Sequence, residues 1–271
     1  MDYDFIVIGA GSAGCVLANR LSESGRHRVL LLEAGPSDRR IWVQIPIGYG
    51  KTYYDPRVNW MYRSEPIPGL QNRVNYWPRG KLLGGSSSIN AMVYIRGQAE
   101  DFDGWEALGN PGWGWKDILP LYKSIEDHAL GASEHHGAGG PLHVSEITGD
   151  AHPLCQAFFR AGQEAGLPFN RDLNGETQEG VGYYQITTRN GFRLSSARAF
   201  LWPAQRRANL RVETMAHATR IIFEGIRAVG VEYLQGGQRV RARAAREVIV
   251  SAAPSIHRSS SSSRASVPPR S

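Results

Sequence analysis

One passage near the N-terminus, "DFIVIGAGSAGCVLANRLSESGRHRVLLLEAG", constrains the fold more than any other part of the chain. Phe5 to Ile8 are a continuous apolar run, the pattern of a parallel strand buried on both faces. Gly9-Ala10-Gly11-Ser12-Ala13-Gly14 follows at once. In such a turn Gly9 allows the chain to reverse, Gly11 lets backbone approach a pyrophosphate, and Gly14 lets the next helix lie close on the strand. Ala13, Val16, Leu17 and Leu21 recur at helical spacing and Gly25 gives a stop, so a helix is predicted here. Val29 to Leu32 then form a second buried strand. Free N–H groups at the helix start, aided by the helix dipole, make Gly9 to Gly14 a phosphate site that includes Ser12. Glu33 closes the second strand, nineteen residues past Gly14. A carboxylate there suits a ribose hydroxyl and repels a 2′-phosphate, so FAD or NAD fits better than NADP.

A second passage, "RGKLLGGSSSINAMVYIRGQAEDFD", brings backbone N–H groups and hydroxyls together at Gly84 to Ser88. Leu82, Leu83 and Ile89 flank it closely, which argues against a solvated linker. With "SEHHGAGGPLHVS", "GVGYYQITTRNGFRLSSARAFL" and "VIVSA", it resembles the glucose-methanol-choline family of FAD-dependent oxidoreductases, in particular the bacterial alcohol and choline dehydrogenase branch. The likeness runs from Tyr3 to about Ala252.

The resemblance implies an α/β fold: a Rossmann-like FAD-binding domain joined to the first part of an α+β substrate domain. It places the FAD pyrophosphate at Gly9, Gly11, Ser12, Ala13 and Gly14, and the ribose at Glu33. Leu83, Gly84, Asn90, Ala91, Met92 and Val93 would border the flavin and its pyrophosphate, and Ala218 would meet the adenine through its main chain. Some relatives link FAD covalently through a histidine just before the Asn90 equivalent. Ile89 stands there in this chain, so the cofactor is expected to be noncovalent FAD. Domain boundaries follow as 1–145 for the FAD domain, 146–189 for a substrate-domain segment, 190–253 for the returning FAD domain and 254–271 for a tail. The implied reaction is oxidation of a primary alcohol or choline-like CH–OH group, with a quinone or oxygen as acceptor. The implied base is a C-terminal histidine that has no counterpart in this chain, so no catalytic residue is assigned. A different FAD or NAD enzyme sharing only the Rossmann unit is the first alternative, and a noncatalytic FAD-binding remnant or unstable truncated product is the second.

The remaining composition excludes more than it assigns. The formal charge is +6, but three of the 31 basic residues and no acid fall from Pro254 onward, leaving 28 bases against 25 acids. That balance speaks against nucleic acid. No apolar run approaches the roughly 18 residues of a membrane span. The expected location is the cytoplasm, with a peripheral place on the inner membrane for a full-length relative. Cys15 and Cys155 lack paired spacing and read as core thiols. His135 and His136 are adjacent in a glycine-rich loop and should point apart, His143 and His152 have no neighbour at ligand spacing, and no metal is expected. Trp105, Trp113 and Trp115 read as core packing. Helices are predicted over "GWKDILPLYKSIED", residues 114–127, and over 153–167, an alternating strand over "GVGYYQITT", and strands over 210–252 with turns at Gly225, Gly230 and Gly236-Gly237. The closing "SAAPSIHRSSSSSRASVPPRS" is too polar to offset its ordering entropy and is expected to be disordered. A permitted coding of Ala252 to Val267, read from a shifted base, translates as the family's Gly-Ala-Ile-Asn-Ser-Pro-Gln-Leu-Leu-Gln-Leu-Ser-Gly-Ile-Gly. The tail therefore reads as the product of one lost base.

Overall fold

The computed structural model describes residues 2–252, and the tail expectation lies outside them. The chain divides into two compact units, one made of residues 2–90 with 195–252, the other Ala91–Leu194.

In the first unit, strand β1 (Asp2–Ile8) runs into helix α1 (Ser12–Ser22), which returns to strand β2 (Val29–Leu32). β2 lies parallel to β1, with Phe5 opposite Val29 and Ile8 opposite Leu32. Late in the chain come β3 (Leu210–Glu213), β4 (Ala216–Glu224), β5 (Arg227–Gln235) and β6 (Gln238–Val250). The sheet order is β3-β2-β1-β6-β5-β4, four parallel strands extended by an antiparallel meander. Ile6, Val7 and all four residues of β2 are buried, as their unbroken apolar runs require. Tyr3, Ile6, Leu30, Leu32, Val231 and Tyr233 form the core on one face.

α1 packs its Gly14, Cys15 and Ala18 face inward. Gly14 is fixed by contact, because a Cβ built there would overlap the Gly9 carbonyl. The helix's last carbonyls are met by Arg207, which donates to Asn19 O, and by Asn209, which donates to Ser22 O at 2.9 Å. These long-range bonds do the work of a C-cap.

The second unit holds α2 (Ala99–Ala107), α3 (Trp115–Ile125) and α4 (Leu154–Glu164), with a short parallel pair of strands at Glu126–His128 and Leu142–Val144. α2 begins with a reciprocal capping box between Gln98 and Asp101. "GVGYYQITT" yields only the two-residue strands Gln185–Ile186 and Thr188–Arg189.

Several sequence expectations need correction. The compact units break at 90/91 and 194/195, while the domain boundaries expected from the sequence stand at 145/146 and 189/190. The physical reason is that Arg96 and Glu126 share hydrogen bonds and ion pairs with residues 135–137 and 172–185, tying all of 91–194 together. Gly230 is not a turn: it lies inside β5, where a Cβ would strike the Ala242 carbonyl of β6. Trp105 and Trp113 are about half exposed, 47% and 51%, and meet edge-on, and Trp105 also meets the buried Phe102 edge-on. Cys15 is buried, while Cys155 is only half-buried.

Candidate dinucleotide site

A cavity of about 550 Å³ opens in the first unit at the C-terminal ends of β1, β2 and β6. This is where ligands bind open parallel sheets. Its floor is the Gly9 to Ser12 turn, and its sides are Glu33, residues 216–219 and the loop at 79–86.

The turn is built as its sequence demands. Gly9 sits at φ +96°, which a side chain would oppose. Gly11 precedes α1 with no side-chain cap, so the N–H groups of the first turn are left for another acceptor. A Cβ on Gly11 would come no nearer than 4.0 Å to any described atom, the Ser251 carbonyl oxygen. The protein's own packing thus does not require glycine there. The second glycine-rich passage closes against this turn: Gly84 N–H donates to Ala10 O at 2.7 Å, and a Cβ on Gly85 would meet Gly11 Cα at 2.8 Å.

Glu33 is 6% exposed. One carboxylate oxygen accepts from Ala10 N–H at 3.0 Å and the other from Gly35 N–H at 2.9 Å. Burial pushes its pKa up to about 7, against the pull of those N–H groups and of Lys81. The carboxylate has no charged partner within hydrogen-bond distance among the described residues, yet it retains lone pairs on the cavity wall. Hydroxyl donors would complete it. Ala216 N–H donates to Glu33 O at 2.8 Å, which ties the start of β4 beside the carboxylate and brings Ala218 to the same wall.

Of the residues singled out in the sequence, Gly9, Gly11, Ser12, Glu33 and Ala218 line this one cavity. Ala13 is exposed on the first turn of α1, and Gly14 is packing beneath it. Leu83 and Gly84 are buried supports, with Gly85 and Ser86 presented to the cavity in their place. Asn90 ends the first unit, and Ala91, Met92 and Val93 belong to the second and are not among the cavity's lining residues. Met92 is buried at φ +64°. Ile89 packs with Val43, Val58 and Leu82 in a small apolar core.

Trp60, Arg79, His217 and Thr219 also line the cavity, and sequence reading missed them. Trp60 reaches it because its neighbour Asn59 pairs with the sequence-distant Gly80. No local periodicity announces such a pairing. His217 is adjacent to Ala218, and its place on β4 was the available signal.

The second unit carries a buried polar cluster. Glu126 meets Arg96 at 2.6 Å and accepts from Gly137 N–H at 2.7 Å. His136 lies between Glu126, 3.2 Å from Nδ1, and Asp172, 2.8 Å from Nε2. Burial works against charge on His136, but the two carboxylates prevail and hold its pKa up to about 9. Asp172 is correspondingly held down to about 2, although burial opposes this. Glu126, His128 and His136 bring ligand-type atoms within 4.8 Å of one another. Glu126 is occupied by Arg96, His136 by its two carboxylates, and His128 Nδ1 accepts from Leu130 N–H at 3.2 Å, while His128 Nε2 is buried without a hydrogen-bond partner among the described residues. The cluster is a charge network centred on Glu126 and His136. His143 pairs with Asp127 at 2.8 Å. No helix among the described residues is long and apolar enough to cross a membrane.

The family model described as GMC oxidoreductase matches residues 3–260. The chain belongs to the GMC oxidoreductase family. These are FAD-dependent oxidoreductases acting on CH–OH groups. Over 92% of its length the GMC chain is 50% identical to mitochondrial choline dehydrogenase of Mus musculus, of which it covers 43%. It is 49% identical to "Alcohol dehydrogenase [acceptor]" of Pseudomonas putida over 92% of its length, covering 46% of that protein. Among solved structures, pyridoxine 4-oxidase from "Mesorbium loti" superposes with a TM-score of 0.86 at 36% identity, over 91% of this chain and 48% of that one. The chain thus spans somewhat less than half the length of the relatives it matches.

Proposed function

We propose that the first unit holds FAD noncovalently by its ADP half, and that the chain is the FAD-binding portion of an oxidoreductase for primary alcohols or choline-like substrates. The observation that carries this reading is one cavity uniting the Gly9 to Ser12 turn, the Glu33 carboxylate and residues 216–219. When bound, FAD supplies a hydride acceptor for the carbinol carbon. The chain's own residues bind and orient: first-turn N–H groups of α1 receive the pyrophosphate, Glu33 accepts from ribose hydroxyls, and the Ala218 main chain meets the adenine. Leu83, Gly84 and Asn90 to Val93 retain the flavin-side assignment given by the family pattern. Noncovalent attachment is supported by Ile89, an apolar core residue with no nucleophile, and by His136, whose ring nitrogens both face carboxylates.

The substrate class rests on the relatives, whose names specify choline and alcohols, and a quinone or oxygen is the acceptor class. No described residue is assigned as the base. Of the described groups lining the cavity, Glu33 has both oxygens engaged and His217 lies at the adenine end, so proton removal from the alcohol falls to the half of the relatives that this chain does not span. The purified chain should carry flavin absorbance, release that flavin on acid precipitation, and show no alcohol-dependent bleaching under nitrogen. Flavin left in the pellet would refute noncovalent attachment, a folded protein that takes up no flavin would refute FAD binding, and bleaching by choline or primary alcohols would place the base within this chain.

A further inference from the structure

Residues 39–77, within the first unit, differ in composition from the rest of the chain. They hold six of the 28 bases that precede Pro254 but only two of the 25 acids, leaving 22 against 23 elsewhere. They also hold eight of the eighteen Trp and Tyr residues (7 and 11) and no Phe. Trp and Tyr rings have an apolar body and a polar tip, which suits a place where one end is dry and the other wet. Much of this apolar surface faces outward: Ile47 is 79% exposed, Tyr54 65% and Ile41 62%, with Trp42 and Trp77 also exposed. We infer that this face docks on an anionic lipid bilayer, its aromatic and aliphatic side chains entering the headgroup layer and its cations meeting lipid phosphates. The inference does not depend on the FAD reading above.

Three observations carry it. First, the exposed rings form one connected surface on a fixed base. Lys51 Nζ lies 3.9 Å from the Trp42 ring centroid, Tyr54 N–H donates to Lys51 O at 3.3 Å, and Tyr54 stacks on Tyr76, the neighbour of Trp77, at 5.5 Å and 12°. Beneath them the buried Asn59 donates to Tyr53 O at 2.7 Å and to Tyr76 Oη at 3.1 Å, and Val43 and Val58 pack in a small apolar core. Groups held in this way lose little conformational freedom on docking. Second, charge selects the partner. Asp55 is already paired with Arg57 at 2.8 Å, whereas Lys51 and Arg63, the latter opposite Tyr76 on its strand pair, are exposed and form no ion pair among the described residues. In a two-fold dimer joined through this face the surplus cations would confront one another, while anionic lipid attracts each of them. Third, the surface is aliphatic as well as aromatic. Ile41 precedes Trp42, and Ile47 precedes Gly48, which packs against the Trp42 carbonyl. A nucleic acid could stack on the rings but has nothing for the isoleucine tips, and the boundary between headgroups and acyl chains accepts both.

The test is flotation of the full chain with vesicles of phosphatidylcholine alone and of phosphatidylcholine with one-third phosphatidylglycerol, a separation that leaves aggregated protein at the bottom of the gradient. Wild type should float with the anionic vesicles, stay below with the neutral ones and be released by high salt, and its tryptophan emission should shift to the blue on binding. The double variant Lys51→Glu/Arg63→Glu should weaken binding by at least about tenfold, and Ile47→Ser by about fivefold to tenfold. Ile226→Ser is the control: that side chain is fully exposed at the turn between β4 and β5, outside the segment, and its loss should leave flotation unchanged. All these side chains are exposed, so thermal melts should match wild type, and if one variant unfolds the other carries the test. No flotation with anionic vesicles overturns the inference. Flotation undiminished in both variants, the result expected if the three arginines after Pro254 alone attracted lipid, overturns it too, as does an equal loss in Ile226→Ser. A dimer that Ile47→Ser abolishes, with no lipid bound, would assign the face to a second copy of the chain, and tighter binding per phosphate to oligodeoxythymidylate than to vesicles would assign it to nucleic acid. Either result overturns the bilayer.

Discussion

Glu33 and Glu126 are both buried glutamates, one in each compact unit, and their surroundings push them in opposite directions. Burial wins at Glu33, which has backbone N–H partners and a distant lysine, and its pKa rises to about 7. At Glu126 burial also acts upward, but His136, the Gly137 N–H and Arg96 overcome it and hold the carboxyl below its ordinary value. A buried carboxylate supplied with cations is structural. One left short of donors on a cavity wall has its completion supplied from outside. The two units thus use the same residue type for different purposes, and the contrast can be broken experimentally.

The largest effect is expected at Glu126. Its replacement by Leu leaves Arg96 buried without its ion-pair partner and His136 with one carboxylate, Asp172. Removing one partner from a buried ion pair costs about 3 to 5 kcal/mol. Denaturant unfolding should show that loss, with hydrogen exchange accelerated first across 126–144 and 172–185. Retention of wild-type stability would mean that the network is incidental. The same network predicts a pH window. The folded pKa of His136, about 9, exceeds the ordinary histidine value of about 6.5, so its contribution is complete below about 6.5 and disappears as pH rises through 9. Asp172 contributes in the other sense, fully above about 3.8 and lost as pH falls through 2.

Gly14→Ala should follow in size. The added methyl would overlap the Gly9 carbonyl, so α1 must move off β1. Overpacking of this kind costs about 1 to 3 kcal/mol and should also abolish measurable ADP binding, because the turn that holds the phosphates moves with the helix. A variant as stable as wild type would show that the turn relaxes freely.

What could be read in advance was what is contiguous. β1, the glycine turn, α1 and β2 form one unbroken stretch, so their periodicities and the place of Glu33 are local properties of the sequence. Trp60 and Asp172 are invisible on that scale. Trp60 reaches the cavity through a bridge between Asn59 and Gly80, and Asp172 finds His136 across 36 residues. The same limit explains Gly230, which reads as a turn locally and is a strand residue because Ala242 of the neighbouring strand lies against it.

Glu33→Gln tests the other side of the comparison with a smaller effect. The loss of charge-assisted bonds to ribose hydroxyls should weaken FAD and ADP by about tenfold, or about 1.4 kcal/mol. Wild-type affinity should also rise with pH up to about 7 and then level off, because hydroxyl donors favour the ionised carboxylate and binding releases its proton. For the free protein the sign is opposite: a carboxyl raised from 4.5 to about 7 adds stability while protonated and loses that contribution as pH climbs from about 4.5 through 7. A Gln variant that keeps the wild-type pH profile of ADP binding would move the titration to another group.

The smallest effect on stability belongs to Gly11→Ala, and its value lies in the contrast with Gly14. Both glycines come from one motif, yet only Gly14 is held by the protein's own atoms. At Gly11 the backbone is at φ −70°, open to any residue, and an added methyl meets nothing closer than 4.0 Å. Alanine is a poorer N-cap than glycine, a loss of about 0.5 to 1 kcal/mol, while reduced freedom of the unfolded chain returns about 0.4 to 1. Net stability should therefore stay within about 0.5 kcal/mol of wild type. The methyl nevertheless projects where phosphate oxygens must approach the first-turn N–H groups, so ADP and FAD affinity should fall by at least about tenfold. Calorimetric titration alongside thermal melts separates the two quantities. Loss of stability in step with affinity would mean that Gly11, like Gly14, is packing, and undiminished affinity would mean that the pyrophosphate lies away from this turn.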